Sequence, residues 1–510
     1  MIKDFYEYCK KNIWAIFLTS LFICLTHGTR LITKNATIDT SLFINNPETN
    51  YNWLDIGRWG AVFTKNISEL RSFNPYVANA FGILFVIIAC VLWSFAFFQI
   101  SKKDSVVYWL FGIVFFTNPV FSLQWLFYIQ IFEVAFALCL IPISLINIFQ
   151  WIEKKNILNL IVAIIGMIWT FATYQSNVPV YIVGAITCFL LYKESNFREM
   201  IKIALKLAIS FIAAYLLYTI ITKCFFSNSN YLDSQIAWST QGINKCVQNI
   251  LQYIKTVILG EGVFYTKVYS CGIILLIIIF FMEIKKINEK YMLRWLAIFV
   301  LLLMPFALII YMGTQPVARS QFALGAVTAS CLMLILKYFL QYKRGLVRKI
   351  FLFGVSALII ISVEKQMYTS MKVYYSDDVR YQEDIYVLQQ IQEDIYDIEA
   401  DLNKPLVFVG ARESELNESA YKIEDIVTEY YARTVLGLFS WEEPYYYHST
   451  NLILDVYKTI GVSFQYPSVE QINEGRNVSK EMQSWPKKGS IKETDDIIVV
   501  KLSKDLYANK

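Results

Sequence analysis

Hydrophobic residues make up 56% of this 510-residue chain and charged residues only 17%, with a mean hydropathy of +0.44. A soluble protein carries about 25% charge, so most of this surface must face lipid; disorder, collagen, a coiled coil and a disulfide-rich secreted scaffold are excluded. The net charge of +5 is mild and the basic residues form no dense stripe, which argues against a nucleic-acid binder.

The average conceals two parts. Up to residue 363, apolar runs alternate with short polar breaks; from 364 to 510 the runs stop and carboxylates cluster. The reading is an α-helical polytopic membrane domain (1–363) followed by a small soluble α/β domain (364–510). A helix needs about 20 apolar residues to cross a bilayer. Eleven stretches qualify or nearly do: 13–32, 77–100, 106–122, 126–150, 157–173, 179–192, 203–222, 268–284, 295–312, 321–340 and 350–363. The third, sixth and eleventh are short. The first has no small-residue cleavage site after Leu25 and reads as a retained span rather than a signal peptide.

Lys and Arg mark every alternate connection: Lys3, Lys10 and Lys11; Lys102 and Lys103; Lys154 and Lys155; Lys193, Arg198, Lys202 and Lys206; Lys285, Lys286, Lys290 and Arg294; Lys343, Arg344, Arg348 and Lys349. By the positive-inside rule these face the cytoplasm. The N-terminus is then inside and, with an odd number of spans, the 364–510 region outside.

Two of the opposite connections are long, 33–76 and 223–267, and long loops in compact domains usually carry function. The first interleaves Asp39, Glu48, Asp55, Arg58, Lys65 and Arg71 with Phe43, Tyr51, Trp53, Trp59 and Phe63. Such a loop is either an interfacial helix anchored by aromatics or a site for a polar head carried on a lipid. Polar residues at or inside spans are costly and often functional: His27 and Arg30 close the first span, Glu133 sits in the fourth, Tyr174-Gln175 opens an outer turn, and Arg319 stands at the mouth of the tenth. For Glu133 the alternative is a pair with a polar group on a neighbouring helix. For Arg319 it is snorkelling to headgroups.

Nine cysteines are present, none beyond residue 331, and most lie inside apolar runs. Cys224 and Cys246 share one outer loop and are the one candidate disulfide. With no CxxC, no HExxH and two histidines, a His- or Cys-based metal site is not expected.

The chemistry these residues suit is sugar transfer from a lipid phosphate. Breaking a sugar–phosphate bond leaves negative charge on the phosphate, which Arg stabilises as it develops and matches with its planar fork. The acceptor hydroxyl is a poor nucleophile, and a carboxylate beside it can take its proton. Arg30, Arg58 and Arg319 are candidates for the phosphate, and Asp39 and Asp55 for the base. A polysaccharide or lipid-linked sugar transporter (flippase) would share the spans and intramembrane charge, but it should show internal repeats and broken helices, and no repeat is visible.

Several motifs run in order along the chain: Ile38-Asp39, Gly57-Arg58-Trp59, Tyr174-Gln175-Ser176, Pro316-Val317-Ala318-Arg319, and the stretch from Tyr375 to Asp384 containing Asp377, Asp378 and Arg380. With these the sequence resembles the type II O-antigen glucosyltransferases, membrane enzymes of the GT-C class, over about residues 10–390. The resemblance implies transfer of glucose or a related hexose from an undecaprenyl-phosphate donor to a surface polysaccharide outside the bacterial cytoplasmic membrane. It implies an inverting displacement with an acid of the first outer loop as base, here Asp39 with Asp55 second. Arg58 and Arg319 would hold phosphate or sugar, and a separate donor synthase and flippase would supply the donor. Family members often carry two adjacent acids where this chain has Asp39-Thr40. Many enzymes of the class bind a divalent cation; a site of this kind need not, and the sequence leaves both open.

In the tail, 374–402 has helical apolar spacing and many acids; strands are expected at 405–411, 462–464 and 495–503 and a helix at 451–460. The stretch LVFVGARESE lacks a glycine-rich phosphate loop, so nucleotide binding is not expected. The cluster from Trp441 to His448 reads either as a sugar-stacking surface or as a packed aromatic patch.

Overall fold

The apolar stretches are helical in the computed structural model, which describes residues 2–503 apart from 37–38, 194–195, 227–234, 287, 344, 413, 415 and 423–445. In chain order the helices are α1 (Ile2–Lys11), α2 (Ile13–His27, extended by a 3-10 turn Gly28–Ile32), α3 (Thr40–Asn45), α4 (Trp59–Ile67), α5 (Pro75–Ser101), α6 (Tyr108–Phe116), α7 (Pro119–Leu126), α8 (Ile131–Lys154), α9 (Ile157–Thr173) and α10 (Asn177–Leu191). They continue with α11 (Phe197–Phe225), α12 (Ile243–Leu259), α13 (Val268–Glu283), α14 (Glu289–Leu303), α15 (Ala307–Met312), α16 (Phe322–Gln341), α17 (Leu346–Asp397), α18 (Tyr446–Thr459) and α19 (Val469–Ser479); the strands are β1 (Leu406–Val409), β2 (Ile491–Glu493) and β3 (Ile498–Lys501).

Among the described residues, seven helical segments are long and apolar enough to cross a membrane, and α9, α10 and α13 are shorter apolar helices. The stretch expected as one span at 106–122 is instead a broken pair, α6 and α7, bent by 53°. The cause is local. Asn118 caps α7 by accepting from Val120 N at 3.0 Å, and Pro119 occupies the first helical position, a combination that starts a new helix rather than continuing an old one.

The contacts divide the chain into two compact units: Met1–Ile32, Asn50–Arg71 and Pro75–Met371 in the first; Thr33–Thr49, Ser72–Asn74 and Lys372–Lys510 in the second. In the first, α5 and α8 pack along one another, α8 on α9, and α6 on both α5 and α16. Helix α8 is the centre, with Ile131–Ala135 and Leu145–Phe149 buried on all sides, as a helix apolar all round should be. Both Cys224 (exposed) and Cys246 (buried) are free thiols, so the candidate pairing is not made; Cys246 packs beneath Gly313 instead.

In the second unit the sheet order is β1-β3-β2, with β1 parallel to β3 and β2 antiparallel to it. Every residue of β1 is buried. They pack against Leu388, Ile391 and Ile395, spaced three and four residues apart on α17, and against Ile453 and Tyr457 on α18. Ala36 and Ile44, from the first long loop, belong to the same core. The expected strand at 462–464 is absent; the chain turns at Gly461 (φ +87°), and Gln465 makes only an isolated bridge to Pro405. The residues Trp441–Tyr445, and the side chains of Tyr446, Tyr447 and His448, lie outside the described residues, as do Glu413 and Glu415.

Candidate active site

A break in a buried helix frees carbonyls that hydrocarbon cannot satisfy, so donors must come from elsewhere in the protein. The first unit has two such breaks in succession, one between α6 and α7 and one between α7 and α8, where a 3-10 turn (Tyr128–Gln130) intervenes. Polar side chains from distant parts of the sequence converge there. His27 Nε2 donates to the Phe116 carbonyl at 2.8 Å, and its ring stacks on Trp125 with centroids 5.0 Å apart. Ser370 Oγ donates to the Thr117 carbonyl at 3.4 Å. Arg30 Nη2 reaches the Trp125 carbonyl at 3.4 Å, and Gln124 Nε2 the Phe127 carbonyl at 3.3 Å. Lys65 Nζ takes the Ile129 carbonyl at 2.6 Å.

The same turn gathers three arginines. The Arg319 guanidinium lies over the Phe127 ring, 4.5 Å from its centroid, and that of Arg30 lies 5.8 Å from the centroid of Tyr128. Arg58 donates from Nη1 to Gln130 Oε1 at 3.5 Å and from Nε to Gln175 Oε1 at 3.4 Å, and its guanidinium sits 4.8 Å from the Tyr174 ring centroid. Arg30 is fully buried, whereas Arg58 and Arg319 are half-buried. The Tyr174 ring and two amide oxygens fix the plane of the Arg58 guanidinium, and the Phe127 ring that of Arg319.

Arg58 is held from behind. Gly57 has φ +73°, and a Cβ there would come within 2.9 Å of Thr222 Cγ2, so only glycine fits this turn. Gln175 Nε2 donates to the Ile56 carbonyl at 3.0 Å and to Tyr218 Oη at 3.1 Å, while Tyr218 donates to the Gly57 carbonyl at 3.3 Å. Trp59 is a buried wall: its Nε1 donates to Thr222 Oγ1 at 3.1 Å and its ring stacks on Phe226. Tyr174 and Gln175, at the start of the turn between α9 and α10, therefore meet Arg58 directly.

Glu133 forms an ion pair with Lys65, Nζ to Oε1 2.7 Å, with both side chains buried. Lys65 also lies 5.5 Å from the Trp53 ring centroid. The alternative that the sequence left open for Glu133, a pair with a neighbouring helix, is the arrangement found. Its partner comes from α4, in the first long loop. The sequence reading did not single out Phe127, Tyr128 or Gln130, on which the three arginines settle; the signal was there in the closely spaced polar and aromatic residues between α7 and α8.

Of the candidate bases, Asp55 is exposed in the turn just before Arg58. Asp39 belongs to the second unit, half-buried at the start of α3, where its carbonyl accepts from Phe43 N at 3.1 Å. In that unit Asn35 Nδ2 donates to both Asp377 Oδ2 and Asp378 Oδ1 at 2.7 Å, so the segment before Asp39 is tied to the acidic stretch of α17. Asn45, at the end of α3, donates to the Asp455 carbonyl at 2.8 Å; Tyr466 donates to the Asp455 carboxylate at 2.8 Å, and burial together with that bond pushes its hydroxyl pKa up. Among the described residues, no group of three or more His, Cys, Asp and Glu side chains is placed to hold a metal ion.

The first unit is thus a polytopic helical scaffold of membrane type that gathers arginine, glutamine and aromatic side chains at one double helix break. The family model for glucosyl transferase GtrII matches residues 28–336, more than half of the chain. The chain belongs to this family, which makes it a glycosyltransferase that uses a sugar donor and an acceptor. The matched region contains Arg30, Asp39, Asp55, Arg58, Trp59, Glu133, Tyr174, Gln175 and Arg319, and ends before α17. No curated protein and no solved structure matches the chain.

Proposed function

We propose that the protein transfers glucose or a related hexose from a polyprenyl phosphate, of the undecaprenyl type, to a surface polysaccharide on the outer face of the bacterial cytoplasmic membrane. The observation that carries this reading is the convergence of Arg58 and Arg319 on the turn between α7 and α8, joined to family membership. The two guanidinium groups would bind the donor phosphate. The acceptor hydroxyl attacks the anomeric carbon from the face opposite the phosphate, the carbon–oxygen bond to phosphate breaks, and its electron pair stays on the phosphate oxygen. The acceptor's proton passes to a carboxylate, Asp39 first and Asp55 second, and the anomeric configuration inverts. Preorganised cations at the leaving phosphate stabilise charge as it develops, and the carboxylate supplies general-base help.

In this reading Arg30, His27 and the Lys65–Glu133 pair hold the turn, Tyr174, Gln175 and Trp59 hold Arg58, and residues 364–510 lie outside, toward the acceptor. The N-terminus faces the cytoplasm, and a separate synthase and flippase deliver the donor. Family membership leaves the transporter reading without support. The test is transfer from a radiolabelled polyprenyl-phosphate hexose in reconstituted vesicles. Asp39→Asn should abolish transfer while the protein stays in the membrane; full activity of that variant removes Asp39 from the chemistry. Glycan composition and linkage in a deletion strain would name the sugar and the acceptor.

A further inference from the structure

Helix α12 lies in the second long loop and is no spanning candidate, yet its 17 residues divide into three sectors. At 100° per residue, Cys246, Tyr253 and Val257 fall together and are all buried against the protein. Next around the helix come Ile243, Val247, Leu251 and Ile258, and all are exposed, Ile243 at 70% and Leu251 at 61%. Opposite stand Asn244, Lys245, Gln248, Gln252 and Lys255, also exposed, and the helix contains no acid. An apolar strip that is neither packed nor shielded, bordered by lysines, is the pattern of a helix lying in the plane of a membrane surface. Its neighbours agree: α13 exposes Ile274, Ile277 and Phe281, while Trp238 and the exposed Tyr311 flank the helix, as aromatic residues do at a lipid–water boundary.

The buried sector leads to Arg319. Tyr253 and Tyr265, from α12 and the turn after it, both donate to Gln321 Oε1, the latter at 2.7 Å, and Gln321 Nε2 donates to the Pro316 carbonyl at 2.8 Å. Asn249 Nδ2 donates to the Gly313 carbonyl at 3.1 Å. Both ends of the Gly313–Gln321 turn that carries Arg319 are therefore fastened to this one helix.

We infer that α12 docks on an anionic lipid surface through Ile243, Val247, Leu251 and Ile258, and that through Tyr253 and Gln321 it holds Arg319 at the level of the lipid headgroups. The lipid contact stands by itself; its bearing on the donor rests on the proposed function. Gln321 and Tyr253 are positioning residues. The test uses the full chain in phosphatidylglycerol-containing vesicles, with a photoreactive benzophenone amino acid in place of Leu251 or, as control, Gln252. Leu251 should capture about tenfold more lipid than Gln252, as sectors on opposite sides of the interface require. Equal lipid capture at the two positions overturns the docking. Tyr253→Phe keeps the ring and removes the hydroxyl. It should raise the KM for the lipid donor with little change in kcat, whereas a fall in kcat alone, or no change, overturns the link to Arg319. If Arg319→Ala leaves both kcat and the donor KM unchanged while Leu251 still captures lipid, the phosphate reading fails and the lipid docking survives.

Discussion

Replacing Lys65 by Met isolates Glu133 in the middle of the first unit. Both side chains are buried, 2% and 1% exposed, and the ammonium stands 2.7 Å from Oε1 and 2.6 Å from the Ile129 carbonyl. Removing one partner of a buried ion pair costs about 3–5 kcal/mol, because the remaining charge stays desolvated and unmatched. Lys65→Met should therefore destabilise by about that amount, and Glu133→Leu similarly, since it leaves the ammonium behind. The double variant buries no charge and should lose only the bond to Ile129, about 1–3 kcal/mol. The coupling free energy, singles summed minus the double, is then at least about 3 kcal/mol and lies at the upper end of what contacting residues show. Reversible unfolding of the purified protein in mixed detergent micelles measures each corner of the cycle. A coupling below about 1 kcal/mol, the range of exposed pairs, would refute the view that this pair is a dry, mutually dependent unit supporting the turn.

Other expectations follow from the same geometry. Arg58→Ala should lower kcat about 100-fold if it stabilises the leaving phosphate, and Arg58→Lys should restore only part of that, because an ammonium cannot satisfy Gln130 and Gln175 with a planar fork; single-turnover rates would tell. Gly57→Ala forces a side chain into a left-handed conformation against Thr222, at a cost of about 1–3 kcal/mol, and should reduce transfer with the protein still folded, as judged by size-exclusion elution. Protease added to spheroplasts should cleave residues 398–510, and protease added to inside-out vesicles should leave them intact; the reverse pattern refutes the proposed orientation.

The helices were largely legible because apolar runs are local: 157–173 is α9 itself, and 321–340 differs from α16 by one residue at each end. The break at Asn118-Pro119 was written in the sequence as a cap followed by a helix-starting proline, but a continuous apolar run masked it. The partner of Glu133 could not be read, since Lys65 lies 68 residues away and nothing local distinguishes it from Arg71 in the same loop. Helix α12 escaped for the opposite reason. Its period is strongly helical, but its mean hydropathy is too low for a search for spans. The sequence points to Arg58, Tyr174 and Gln175, which do meet in space; it points to Asp39 too, whose surroundings come from residues 372 onward, which no local pattern connects to residue 39.

The segment Thr33–Thr49 leaves the ribosome long before the groups that complete its unit: Asn45 bonds Asp455, 410 residues later, and Ile44 packs in a core that needs Ile498 and Val500. At about 5–20 residues per second, Asp39 waits roughly 20 to 80 s before its surroundings exist. A nascent or truncated chain can thus have its apolar helices in place while Asp39 stands on an unfinished surface, and any carboxylate chemistry at that position switches on only after residues 455–500 have been made.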